Sequence, residues 1–120
     1  MLTLIPFDDD RVVGARISGK ITREEFDSVT TALEAALQKH ETVRFYAEMA
    51  TFVWVPLAVL FQDLKFGLAN WKHFDREAVV TDKDWMRRLS VLADKLLPSI
   101  DVKVFPGDDV DAAKAWICEP

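Results

Sequence analysis

Three carboxylates stand where strands are expected to end: Glu48, Asp82 and Asp108. In open α/β sheets ligands bind along that edge, and oxygen donors gathered there could hold Mg²⁺. Asp82 and Asp108 also fall where helices need N-cap acceptors, and capping is the preferred reading, so no metal site is assigned. His73, with Asp75 and Arg76 close by in sequence, is suited to meet an anionic group. No motif sets a hydroxyl or thiol nucleophile against it. His40 ends a helix, and Cys118 falls on the last helix as a packing residue. The four glycines, Gly14, Gly19, Gly67 and Gly107, are too scattered for a phosphate loop. The reading is therefore no catalytic residue, no metal and no cofactor.

Binding is better served than catalysis. The stretch Phe52-Val53-Trp54-Val55-Pro56 reads as an aromatic loop, with Pro56 suited to the first turn of the helix that follows. On that helix Leu57, Leu60, Phe61, Leu64, Leu68 and Trp71 share one face, while Val59 and Phe66 fall on the opposite one. A one-sided surface helix would carry polar residues there. Residues 65–88 hold six basic against four acidic side chains, interleaved with Phe66, Trp71, Phe74 and Trp85, a combination that suits anionic headgroups or phosphate. The expected binding residues are Trp54, Val59, Phe66 and Trp71 as apolar contacts, with His73 and Arg76 near a polar head. The expected occupant is a hydrophobic small molecule or lipid, a membrane surface, a regulatory protein or a second copy of the chain, giving a homodimer.

The elements that must position these residues alternate along the chain. Leu2–Phe7 is a short apolar strand, Asp8-Asp9-Asp10 a polar turn, and Val12–Ser18 a strand of alternating character closed by Gly19. The link is too short for a helix, so the two strands form an antiparallel hairpin. Thr22 and Glu25 have capping-box spacing. Phe26, Val29, Leu33, Ala36 and Leu37 then recur at helical spacing over roughly residues 22–39. Val43–Glu48 and Glu77–Thr81 read as buried strands, and Val102–Phe105 as a last short strand. Between Glu77–Thr81 and Val102–Phe105, Asp82 or Asp84 opens a helix striped by Trp85, Leu89, Leu92, Ala93 and Leu96 and stopped by Pro98. Pro106-Gly107-Asp108 turns into a final helix bearing Val110, Ala113 and Ile117. The order is β-β-α-β-α-β-α-β-α. It predicts one α/β domain over residues 1–120, with a mixed, mostly parallel sheet of about five strands and four covering helices.

Composition agrees with a soluble globular domain. Of 120 residues, 50% are hydrophobic and 29% charged, enough to build a single core. Fifteen Lys and Arg against twenty Asp and Glu leave a net charge of -5, the wrong sign for a chain-wide nucleic-acid binder. One cysteine excludes an internal disulfide framework. The first residues lack a basic region and run straight into Asp8-Asp9-Asp10, which argues against a secretory signal. The longest uncharged run, Met49 to Gln62, is interrupted by Pro56 and falls short of the roughly twenty residues a membrane-spanning helix needs. A cytoplasmic location is expected.

The element order resembles that of STAS domains, the fold of bacterial anti-sigma-factor antagonists. The stretches His73-Phe74-Asp75-Arg76-Glu77-Ala78-Val79-Val80-Thr81-Asp82, Trp85, Val102-Lys103-Val104-Phe105 and Ala115-Trp116 look like the small SpoIIAA-like proteins within that group. The resemblance implies a non-enzymatic domain that binds partner proteins, nucleotides or other small ligands. A layout shared with the lipid-binding CRAL-TRIO domains implies an apolar ligand or a membrane surface. The alternative it implies is a partner-switching regulator of the anti-sigma-antagonist type. Switching members are phosphorylated on a Ser or Thr of an Asp-Ser motif where the third strand runs into the second helix. Here that place reads Tyr46-Ala47-Glu48-Met49-Ala50-Thr51-Phe52-Val53-Trp54. It lacks the Asp-Ser pair, and Thr51 has apolar neighbours that would solvate an added charge of about -2 poorly. No Thr51-dependent switch is expected.

Overall fold

The structure is a computed structural model that describes residues 1–54, 73–82 and 101–120. Five strands form one sheet in the order β1-β2-β3-β4-β5. They are β1 (Leu2–Ile5), β2 (Val12–Lys20), β3 (Val43–Trp54), β4 (Phe74–Thr81) and β5 (Asp101–Pro106). β1 is antiparallel to β2, and β2 to β5 run parallel. The mixed sheet with an antiparallel first hairpin is the arrangement read from the sequence. Two helices lie among the described residues, α1 (Arg23–Lys39) and α2 (Val110–Ile117). They match the first and last of the four expected. The helices expected after Pro56 and after Asp82 or Asp84 lie outside the described residues.

Local chemistry explains the boundaries. Thr22 caps α1: its hydroxyl accepts from the Glu25 N–H at 3.2 Å, and the Glu25 carboxylate accepts from the Thr22 N–H at 3.2 Å. Val29, Leu33 and Ala36 recur at helical spacing and are buried. Extended backbone at His40 ends the helix. Gly19 takes φ +58 where the pairing of β2 with β3 shifts register, a backbone conformation that glycine adopts without strain.

Two strands differ from expectation. β3 continues past Glu48 to Trp54, so Phe52-Val53-Trp54 is strand rather than loop. Thr51, Phe52, Val53 and Trp54 are β-branched or aromatic types that favour extended structure, and nothing interrupts them before Pro56. β4 begins at Phe74 rather than Glu77. Its register against β3 shifts at the start, with Val43 opposite Phe74 but Arg44 opposite Arg76. The extra residue, Asp75, breaks the alternation and hides the strand's beginning.

The sheet is covered on both faces. On one, Val13, Ala15, Val43 and Phe74 pack with Val29, Leu33 and Ala36 of α1. On the other, Val12, Tyr46, Ala78, Val80 and Phe105 pack with Ala113 and Ile117 of α2. Position 14 calls for glycine because Phe7 fills the α2 face above it: a Cβ there would sit 2.4 Å from the Phe7 ring. The ring meets Tyr46 edge-on, with centroids 5.2 Å apart.

Candidate functional site

Alternation in β3 points Arg44, Tyr46 and Glu48 toward the α2 face. Parallel pairing sets Arg16 opposite Glu48 and Arg76 opposite Arg44. Two polar clusters result on one sheet face.

The first lies toward the C-terminal ends of the strands. Tyr46 is fully buried. Its hydroxyl donates to Glu48 Oε1 at 2.8 Å, and Arg16 Nε donates to Glu48 Oε2 at 2.9 Å. Burial first, and then the bond to Glu48, push the Tyr46 hydroxyl well above its ordinary pKa. The phenol therefore stays neutral past the pH at which an ordinary tyrosine ionises and keeps its bond to Glu48. Both Glu48 oxygens are engaged, one by a phenol and one by a guanidinium. Among the described residues no group of three or more His, Cys, Asp or Glu could hold a metal ion.

The cap expected at Asp108 falls one residue later. Asp109 N–H bonds to Pro106 O at 3.0 Å, so the turn consumes Gly107 and Asp108. Asp109 is the N-cap of α2, without a side-chain cap bond.

The second cluster lies at the N-terminal ends of the strands. Arg44 is 3% exposed. Its Nε donates to both Asp75 oxygens, at 3.2 and 3.1 Å, and its Nη1 donates to Ile117 O at 2.9 Å and to Glu119 O. Arg76 Nη1 donates to Trp116 O at 2.8 Å, and its guanidinium stands 4.9 Å from the Trp116 ring centroid. The last carbonyls of a helix lack partners within it and carry the negative end of its dipole. Two arginines from adjacent strands supply both donors and charge there, and Asp75 balances the buried one. Sequence reasoning missed this clamp. Its one signal is Arg44 itself, a charge at an inward position of an otherwise apolar strand.

Around that edge the acidic turn behaves as expected. Asp9 accepts from the Arg11 N–H at 3.0 Å and from the Arg11 side chain at 3.1 and 2.7 Å. The Arg11 side-chain bonds above all hold its carboxyl down at about 2. His40 Nε2 lies 2.9 Å from Asp10 Oδ1. Cys118 packs on the second core, and burial raises its thiol pKa, which fits packing rather than nucleophilic attack.

The expected binding residues are placed unevenly. Val59, Phe66 and Trp71 lie outside the described residues. The backbone of Trp54 ends β3 at the C-terminal end of the parallel strands. His73 precedes β4 at their N-terminal end, exposed, with Nδ1 3.3 Å from Glu41 O. The separation is about the length of a twelve-residue strand, on the order of 30–35 Å. Arg76 is gathered into the clamp rather than onto an open surface. Thr51 lies within β3, not at the junction after it.

Comparisons with known proteins agree with this layout. The family described as SpoIIAA-like matches residues 12–118. A solved structure from Shewanella loihica, an uncharacterized protein of the DUF3478 family with a SpoIIAA-like fold, is similar with a TM-score of 0.72 and 27% identity. The match covers 98% of this chain and 93% of that one. No curated protein matches. Among the described residues no helix is long and apolar enough to cross a membrane. A hairpin leading into a parallel ladder, with helices on both faces and a family match spanning nearly all of it, fixes the assignment: the chain belongs to the SpoIIAA-like family.

Proposed function

We propose that this chain is a non-enzymatic binding module. Its binding surface is the segment from Phe52 to Phe74, with Trp54, Val59, Phe66 and Trp71 as apolar contacts. The ligand is amphipathic: a lipid, a membrane surface, or an apolar patch on a regulatory protein. One observation carries the reading. The polar side chains gathered on the α2 face of the sheet are committed to holding the fold: Tyr46 and Arg16 to Glu48, and Arg44 and Arg76 to the end of α2. The polar end of the surface narrows to His73, which is exposed beside Glu41, because Arg76 is already engaged.

Family membership also favours a second reading, a partner-switching regulator of the anti-sigma-antagonist type. Its phosphorylation step finds little support, since Thr51 lies within β3 rather than at the junction after it. Partner binding without that step falls within the first reading.

The test is Phe66→Ala, assayed against liposomes of mixed neutral and anionic lipid and against a fluorescent hydrophobic probe. The expected result is binding weakened fivefold or more, with stability changed within ~0.5 kcal/mol, as for an exposed side chain. A loss of several kcal/mol with binding unchanged would place Phe66 in the core and overturn the proposal.

A further inference from the structure

β1 forms one edge of the sheet. Met1 and Ser18 exchange both backbone bonds: Ser18 N donates to Met1 O at 2.8 Å, and the Met1 ammonium donates to Ser18 O. In an antiparallel ladder such exchanging pairs recur at every second residue. Leu2 stands opposite Ile17 and Thr3 opposite Arg16. The backbone groups of Met1, Thr3 and Ile5 therefore face β2, and those of Leu2 and Leu4 face outward. An outward row of N–H and C=O groups is a template for another strand.

The side chains do little to discourage such pairing. Residues 1–7 carry no charged side chain. The exposed large hydrophobics among the described residues are Met1 and Leu4, both on this strand or beside it. Two backbone features do interrupt the row. The Leu2 N–H donates to Glu25 Oε2, while Oε1 of the same carboxylate accepts from the Thr22 N–H and hydroxyl. Pro6, the next outward position, has no N–H. Leu4 is left as the outward donor between them.

We infer that Glu25 guards this edge, keeping β1 from pairing with β1 of a second copy of the chain. A second copy is the fitting occupant because a strand without charged side chains meets its own image without side-chain repulsion. About a twofold axis at Leu4, the two Leu4 residues exchange a reciprocal pair of hydrogen bonds. The same register sets each Leu2 N–H against the partner's Pro6 carbonyl. With Glu25 on Leu2, the pairing is limited to the Leu4 pair. Without it, two further bonds form and the interface doubles its backbone bonding. Glu25 thus links the cap of α1 to the state of the sheet edge.

Sedimentation of the full chain over a range of concentrations tests this. Glu25→Ala should raise self-association tenfold or more. Thr22→Ala breaks the same capping box but leaves Leu2 covered, and should behave as the parent. Adding Leu4→Lys to Glu25→Ala should restore the parent's behaviour by placing like charges across the axis. Amide hydrogen exchange of the unaltered chain provides a readout that needs no variant: Leu2 should be protected and Leu4 should not. Association of Glu25→Ala within twofold of the parent, an equal rise in Thr22→Ala, failure of Leu4→Lys to reverse it, or a Leu2 amide exchanging as fast as Leu4 would each overturn the inference.

Discussion

β3 carries two polar groups on one face, Arg44 near its start and the Tyr46–Glu48 pair further on, and the protein treats them differently. At Glu48 the partners are side chains, and Arg16, with its side chain 62% exposed, reaches water. At Arg44 the partners include backbone carbonyls of the C-terminal segment, and the guanidinium side chain is 4% exposed. The first cluster satisfies a buried phenol. The second fastens one element onto the sheet. A buried charge is tolerated only when paired and hydrogen-bonded, and Arg44 meets that condition by using its fork for two unlike tasks: Nε on Asp75, Nη1 on the end of α2. A lysine could not divide its bonds in that way.

Breaking the clamp should therefore have the largest effect. Arg44→Met keeps the stem's bulk but strips the helix end of its donors and leaves Asp75 without its counter-charge. The expected loss is about 2–4 kcal/mol in chemical denaturation, with Arg44→Lys recovering only part of it. Arg76→Met should lose less, since Arg76 is more exposed and bonds one backbone carbonyl, that of Trp116, against two for Arg44. Equal losses at the two positions would show that burial does not separate them.

The Tyr46 cluster should rank next. Tyr46→Phe leaves Glu48 Oε1 without its donor but creates no cavity, for an expected loss of about 1–2 kcal/mol. Tyr46 is the only tyrosine in the chain, so tyrosinate absorbance reports it alone. Its pKa is raised in the folded state, so its contribution to stability is complete below the ordinary value of 10.0. That contribution is lost as pH climbs from there through the raised value. The native chain should show no tyrosinate until it unfolds in alkali. Ordinary titration near 10 in the folded chain would contradict the buried phenol.

The two clusters also differ in how far a reader of the sequence can see them. The hairpin, the parallel ladder and α1 are legible because Val13-Ala15-Ile17 alternate, Val29-Leu33-Ala36 follow a helical period, and Thr22 and Glu25 announce the cap. Asp75 is not legible: a bulged residue removes the alternation by which β4 would be recognised. Nor is the partner of Arg44, because the end of α2 lies more than seventy residues away and reaches it only through the crossing of the fold. The aromatic run to Trp54 misleads for another reason. Strand and loop are distinguished there by the turn-forming residue, and Pro56 stands two positions beyond the strand's end. The expected apolar contacts Val59, Phe66 and Trp71 belong to the proposed surface, and Phe66→Ala is the measurement that bears on them.

The smallest effect belongs to the acidic turn. Asp9 accepts three hydrogen bonds from Arg11, much as Asp75 accepts from Arg44, but its arginine is nearer water: the Arg11 side chain is 31% exposed against 4% for Arg44. Its carboxyl is held at about 2 against an ordinary 3.8. A lowered value means that the contribution is complete above 3.8 and fades as pH falls from there through about 2. Solvent and salt screen a partly exposed pair, so the contribution should stay below about 1 kcal/mol. Asp9→Asn should shift the acid limb of the stability curve slightly, leave the alkaline limb unchanged, and lose most of its effect in high salt. If Asp9→Asn instead matched Arg44→Met, then carboxylate–arginine bonding itself, rather than burial and capture of the α2 end, would be what sets the strength of these contacts.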